Sequence, residues 1–229
     1  RSKDVLNGGQ GAPLVPLFHQ AIIGGLPKPF MILNVGGVAN VSWVDEMDEV
    51  SAFDSGPGNA LIDDFMYQRT GSRMDQNGYL ALSGKVNSKV LKTLMENPFF
   101  EMKGPKSLDR NHFDSSPVFE LSDADAAATL CAFTAEAVRK SISHFQNSPS
   151  LCAVSGGGRK NKAIIRELEK RLETKVSTTE EFGWEGDYLE SQAFAYLAVR
   201  SVNGLPLSLP STTDVSKPVS GGTLHPKGV

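Results

Sequence analysis

Five short stretches of this chain set acidic or amide side chains beside glycines. That pairing lets a backbone come close to a phosphate or a sugar while a polar group does chemistry. In NVGGVANVSWV (34–44), Gly36 and Gly37 lie between Asn34 and Asn40. Amides in such a turn can meet an anion, although the same glycines suit a plain hairpin. In FDSGPGNALIDDF (53–65), Asp54 is followed by Ser55, Gly56 and the start of a helix. Free amides and the positive dipole end of that helix suit an anion. Asp54 is placed to face a hydroxyl, a water or a metal-bound water, or to cap its own turn. In VSGGGRKN (154–161), Gly156, Gly157 and Gly158 precede Asn161. Three glycines leave room for a purine or a phosphate, but they match neither G-x-G-x-x-G nor the Walker form, and a tight strand-to-helix turn is the plainer reading. The opening RSKDVLNGGQGAPLVPLFHQ carries Asp4 ahead of a loop stiffened by Gln10 and Pro13. A carboxylate there could act as a general base on a water or hydroxyl; an ordinary surface aspartate is the alternative. In GDYLESQAFAYLAVR (186–200), Asp187 and Glu190 are three apart and share one face of a first helical turn, where acids are favoured by the dipole anyway. The histidines at 19, 112, 144 and 225 are scattered, and no Ser/His/Asp spacing emerges.

These stretches need a scaffold, and the apolar pattern supplies one. FMILNV (30–35), VSWV (41–44) and VSAF (50–53) read as three strands, the first two joined by the glycine turn. A helix is expected near 59–70, stopped by Gly71. Another is expected at 86–96, and a long one near 123–146 with Ser122 as its N-cap. Residues 97–118, with prolines at 98, 105 and 117, read as loop and short turns. LCAVS (151–155) is a buried strand, 161–172 an amphipathic helix, 175–178 a last strand and 187–202 a last helix. After Gly204 the proline- and serine-rich stretch LPLSLPSTTDVSKPVSGG reads as extended rather than helical. A three-strand meander followed by alternating helix and strand is the ribonuclease-H-like order. It gives an α/β fold with a mixed sheet and helices on both faces. Two such halves facing one another build the actin, Hsp70 and sugar-kinase architecture, of which this chain would be one lobe. The expected division is a cleft-edge segment at 1–28, the lobe at 29–204 and a returning tail at 205–229.

Bulk properties remove several classes. The chain has 229 residues, a net charge of −3 and 40% hydrophobic residues. There is no basic face and no run of five like charges, so nucleic acid and an anionic membrane surface are not expected partners. No window of 18 apolar residues occurs, so no transmembrane helix is expected. Cys131 and Cys152 lie in apolar stretches and read as buried free thiols, which points to the cytoplasm. No ligand pair has zinc spacing. Three glycine turns at strand ends, with acids nearby, favour a phosphotransferase-type site over a scaffold.

Taken with PKSLDRNHF (105–113), these stretches resemble the anhydro-N-acetylmuramic acid kinase family across essentially the whole chain, in the family's order. The tail PSTTDVSKPVSGGTLHP resembles that family's C-terminus as well. The resemblance implies an enzyme of peptidoglycan recycling that uses ATP, Mg²⁺ and water. It would open 1,6-anhydro-N-acetylmuramic acid and phosphorylate O6, giving N-acetylmuramic acid 6-phosphate. Asp4 then resembles the catalytic base. NVGGVAN, with Asn34, Gly36, Gly37 and Asn40, would hold nucleotide phosphates. GGGRKN, with Gly156, Gly157, Gly158 and Asn161, would lie on the adenosine side. Asp54, Ser55, Gly56, Asp187 and Glu190 would face the sugar. No residue is assigned to Mg²⁺, and the resemblance allows a homodimer without requiring one.

Two departures qualify the resemblance. The family's N-terminal segment with its Gly-Thr-Ser loop is not among these residues, so the chain on its own is expected not to turn over. SLDRNHF stands where relatives carry a Thr-Gly-Arg type of sequence, which leaves Arg110 without a role. An actin-like kinase for another sugar, and an orphan lobe without catalysis, are the alternatives. A ribonuclease-H relative acting on nucleic acid fits worst, since it needs several carboxylates around metals and a basic surface.

Overall fold

The computed structural model describes residues 1–225. Its centre is a five-stranded sheet in the order β3-β2-β1-β4-β5, built from β1 (Phe30–Val35), β2 (Val38–Val44), β3 (Val50–Pro57), β4 (Leu151–Ser155) and β5 (Lys175–Thr178). β1, β2 and β3 pair antiparallel as a meander, while β4 and β5 add parallel to β1. This is the ribonuclease-H-like order expected from the sequence.

The helices follow from capping and periodicity. α3 (Asn59–Thr70) ends at Gly71 in the left-handed region, as expected. α6 (Asp123–Ile142) starts at Ser122, whose hydroxyl accepts the Asp125 amide at 3.2 Å. It stops four residues short of the expected 146. Ser141 and Ser143 turn their hydroxyls onto the carbonyls of Val138 and Lys140, both at 2.7 Å, and local bonds of this kind compete with helix continuation. α7 (Lys162–Arg171) is capped by Asn161. α4 (Tyr79–Ser83) and α5 (Ser88–Leu94) lie between α3 and α6, and α8 (Leu189–Val202) follows β5.

Each sheet face has its own apolar layer. Met31, Leu33 and Val35 of β1, with Val41, Phe53 and Val154, pack among α3, α6 and α7. Phe30 and Ile32, with Val44, Val50 and Ala153, pack with Leu17 and Ile23 of α2 (Pro16–Ile23). Phe18 of α2 meets Leu189 and Ala193 of α8 over the same face. Strands covered on both sides must be apolar on both sides, which is why β1 reads as a continuous apolar run.

Two regions depart from the expected pattern. The opening is not only loop: α1 (Ser2–Leu6) carries Asp4, and α2 begins with Pro16 in its first turn. The tail is not simply extended. It forms β6 (Pro206–Ser208), α9 (Pro210–Thr213) and β7 (Val219–Ser220), with β6 and β7 paired antiparallel. Pro210 preorganises the first turn of α9, and the Thr212 hydroxyl accepts the Leu209 amide at 3.0 Å. The last four residues of the expected tail segment lie outside the described residues.

Candidate active site

Four polar residues stand in one row across the sheet. Asp54 of β3 is the register partner of Asn40 of β2, Asn40 of Asn34 of β1, and Asn34 of Ser155 of β4. Side chains alternate faces along a strand, so Asn34 shares the face of Phe30 and Ile32. The apolar cover of α2 and α8 ends there and the row is left open. A cleft of about 600 Å³ lies over it. The cleft is walled by Gly11–Val15 on one side and by Gly156, Gly157, Arg159 and the start of α8 on another.

Asp54 is buried at the cleft floor. Its Oδ2 accepts the Leu108 amide at 2.7 Å, and its own amide donates to the Lys106 carbonyl at 2.9 Å. Burial pushes its carboxyl up to about 6, against the pull of the Leu108 amide. The loop that meets it is fixed by Lys106, whose buried ammonium donates to the carbonyls of Phe99 and Met102 and lies 4.2 Å from the Phe99 ring centroid. Ser107 donates to Gln10 Oε1 at 3.0 Å, joining this loop to the opening segment. Arg110, which the sequence left without a role, pairs with Asp64 on the surface at 2.9 Å.

On the opposite wall Arg159 is a buried fork. Its Nε donates to Glu180 at 2.7 Å, its Nη1 to the Gly156 carbonyl at 2.9 Å, and its Nη2 pairs with Asp187 at 2.8 Å. Lys160 also reaches Asp187, at 2.8 Å. Hydrogen bonds from Lys160 and then Arg159 hold the exposed Asp187 carboxyl down at about 2. Asp187 precedes α8 and Glu190 lies in its first turn, so the two acids do not share a helical face as expected; both line the cleft.

Asp4 is buried against Gly11 of the cleft wall and does not itself line the cleft. Its Oδ1 accepts the Gly11 amide at 2.7 Å and its Oδ2 the Thr213 hydroxyl at 2.6 Å. The plain reading of a surface aspartate is thereby removed.

The other candidate residues do not line the cleft. The carbonyls of Gly36 and Gly37 accept amides at the start of α3, from Asn59 and from Gly58 and Ala60. Ser55 donates to the Ala39 carbonyl, Gly56 packs on Ala137, and Gly158 packs on Val35. Asn161 spends its oxygen on the amides of Ala163 and Ile164. Its amide lies near Cys131 instead of the cleft, so it is an N-cap.

Sequence reasoning missed several cleft residues, Ser155, His19 and Arg159 among them. His19 bonds Ser42 Oγ through Nδ1 at 2.8 Å, and burial lowers it to about 4, so it is neutral near pH 7. Its signal was the apolar α2 around it. Arg159 lay inside a stretch chosen for its glycines, and two of its three partners, Glu180 and Asp187, lie more than twenty residues away and give no local signal. Among the described residues no group of three or more His, Cys, Asp or Glu side chains forms a metal cage. Mg²⁺ needs less than that, since one or two carboxylates plus nucleotide phosphates suffice. The carboxylates that line the cleft are those of Asp54, Asp187 and Glu190.

Comparison with known proteins agrees with this architecture. The solved structure of the Acidaminococcus fermentans (R)-2-hydroxyglutaryl-CoA dehydratase component A superposes with a TM-score of 0.51 at 13% identity, over 79% of this chain and 65% of that one. That likeness concerns the fold alone. In sequence, the chain is 50% identical to the anhydro-N-acetylmuramic acid kinase of Rhodospirillum rubrum over 227 residues, covering 99% of this chain and 60% of the relative. It is 48% identical to that of Caulobacter vibrioides, covering 98% of this chain and 61% of the relative. The chain therefore spans about three fifths of the length of these relatives. The family model for anhydro-N-acetylmuramic acid kinase matches residues 1–227, which include every strand of the polar row and every wall of the cleft. This chain belongs to the anhydro-N-acetylmuramic acid kinase family.

Proposed function

We propose that this chain is one lobe of an ATP-dependent kinase that opens 1,6-anhydro-N-acetylmuramic acid with water and phosphorylates its O6. The carrying observation is the polar row Asp54–Asn40–Asn34–Ser155 lying open beneath a cleft at strand ends, where open sheets bind ligands. The glycine-lined wall at 156–157 would take the nucleotide. Asp54 and Glu190 would face the sugar. Asp187, held by Arg159 and Lys160, would fix the nucleotide-side wall.

In this mechanism the water oxygen attacks the anomeric carbon and gives its proton to the Asp4 carboxylate. The bond from the anomeric carbon to the bridging oxygen breaks, and its electron pair stays on O6. O6 attacks the γ-phosphorus and ADP leaves. The first half parallels the base of an inverting glycosidase. The second depends mainly on positioning and charge stabilisation. Mg²⁺, when bound with the nucleotide, would offset charge on the transferred phosphoryl group. Asp4 uses one acceptor site on each oxygen, and an ionised carboxylate has about four, so capacity for a water remains. As a chain spanning about three fifths of its relatives' length, it is proposed to bind without turning over on its own. The cytoplasm, which supplies ATP, is the proposed compartment.

A second assignment of the base has its own support: Asp54 lines the cleft, and burial places its carboxyl at about 6, near the range that suits a general base. Full-length gene product, Asp4→Asn and Asp54→Asn are compared with ATP and the anhydro sugar in H₂¹⁸O. The expected result is ¹⁸O at the anomeric carbon with wild type, and a rate lower by about two or more orders of magnitude with Asp4→Asn. A near-normal Asp4→Asn beside a dead Asp54→Asn transfers the role to Asp54. A wild type that leaves the sugar untouched removes the substrate assignment.

A further inference from the structure

Asp4 and Thr213 lie 209 positions apart in the chain, yet the threonine hydroxyl donates to Asp4 Oδ2 at 2.6 Å. Both residues are buried, Thr213 completely. The other carboxylate oxygen takes the Gly11 amide. The Asp4 carboxylate is thus gripped on both sides, once by the cleft-wall loop and once by the tail. An O–H donor on an ionised carboxylate at this length is a strong, charge-assisted bond.

We propose that Thr213 is a positioning residue for the reaction, fixing through its hydroxyl the orientation in which Asp4 meets the attacking water. The proposal rests on the assignment of Asp4 as the base. Seating of the tail does not require this bond, because other contacts hold α9. The Gln10 amide donates to the Thr213 carbonyl at 2.7 Å, and the Ser211 hydroxyl donates to the Val50 carbonyl at 2.6 Å. Inside α9 the Thr213 amide bonds the Leu209 carbonyl at 3.1 Å. The hydroxyl adds nothing to the backbone framework and acts on the acid alone. A base one ångström or a rotamer away from its water loses much of its effect, since misplacement on that scale costs rate on the order of a hundredfold.

The test uses the full-length gene product as wild type, Thr213→Val, Thr213→Ser and Ser211→Ala, with Thr213→Val also placed in Asp4→Asn. Valine keeps the shape and removes the donor; serine keeps the donor. Thr213→Val is expected to lower kcat about tenfold or more with KM for sugar and ATP changed less than about twofold, the signature of an interaction needed in the transition state. Thr213→Ser and Ser211→Ala are expected to stay within about twofold of wild type. In the Asp4→Asn background Thr213→Val is expected to add nothing, because residues that act as a unit are not additive. A Thr213→Val enzyme with normal kcat overturns the proposal, and so does a Thr213→Ser enzyme as slow as the valine variant. Equal losses from Thr213→Val in both backgrounds also overturn it, by making the role structural. Should Thr213→Val fail to fold, Ser211→Ala and Thr213→Ser decide: loss in the first means seating of the tail matters, loss in the second means the hydroxyl is not enough. A near-normal Asp4→Asn removes the base assignment and this proposal together, whereas a silent Thr213→Val beside a dead Asp4→Asn removes this proposal alone.

Discussion

The Asp54 carboxylate takes the Leu108 amide at 2.7 Å while the Asp54 amide bonds the carbonyl of Lys106. The strand tip and the 105–108 loop are thus joined twice across one residue. Burial still dominates the carboxyl, raising it from 3.8 to about 6. The folded state therefore binds the proton more tightly than the unfolded chain does. The stability this contributes is complete below about pH 3.8 and is lost as the pH rises through about 6. A shift of this size corresponds to at most about 3 kcal/mol. Denaturant midpoints of this chain at pH steps from 4 to 7, beside Asp54→Asn, should show a falling contribution that the variant lacks. Parallel pH profiles for the two proteins would remove the claim.

Arg159 should not tolerate substitution by either methionine or lysine. A lysine places one point charge where the guanidinium reaches Glu180, Asp187 and the Gly156 carbonyl. Loss of about 1–3 kcal/mol is expected from thermal or denaturant unfolding of either variant. Nucleotide affinity, measured by calorimetry on the full-length product, should fall with it, because the Gly156–Gly157 wall loses its clamp. Lysine restoring both quantities would show that charge alone suffices.

Gly9 and Gly8 offer a matched pair. A Cβ on Gly9 would sit 2.2 Å from Asp4 Oδ1 and 2.5 Å from Val215 Cγ1, whereas one on Gly8 meets nothing within 4 Å but requires φ of +86°. Gly8→Ala should cost about 1 kcal/mol from backbone strain. Gly9→Ala should cost more, about 1–3 kcal/mol, and should also lower kcat by moving Asp4. Melting curves and turnover of the two variants decide; equal effects would mean that crowding against Asp4 is relieved without consequence.

Both cysteines are buried and unpaired. Burial pushes the Cys152 thiol up to about 12 and the Cys131 thiol higher still. Neither should react with a disulfide reagent at pH 8 while the chain is folded, and both should react once denaturant is added. Fast labelling of the native protein would contradict the placement of Cys131 against Asn161.

Legibility in the sequence followed the range of the forces involved. The meander, the long helix after Ser122 and the glycine stop of α3 rest on neighbours a few residues apart, and these were readable. Seven cleft-lining residues, Asn34, Asn40, Asp54, Gly156, Gly157, Asp187 and Glu190, were singled out because polar groups and glycines at strand ends and helix starts stand out against apolar runs. What stayed hidden was assignment within a stretch. Asn161 looks like a site residue and is a cap, while Arg159, two positions earlier, clamps the wall. The short α1 and α9 have too few residues for a period to register, and their stability comes from distant partners. No local pattern can announce that residue 213 will touch residue 4.

That meeting of residues 4 and 213 also sets a schedule for biosynthesis. A ribosome delivers Asp4 209 positions ahead of Thr213. The sheet, the polar row and most of the cleft can assemble while translation continues, because β1 to β5 end at Thr178. The acid cannot be gripped on its second oxygen until α9 emerges. A chain stalled or nicked before α9 would lack the Thr213 contact, so full seating of the proposed base waits on an element made well after the sheet.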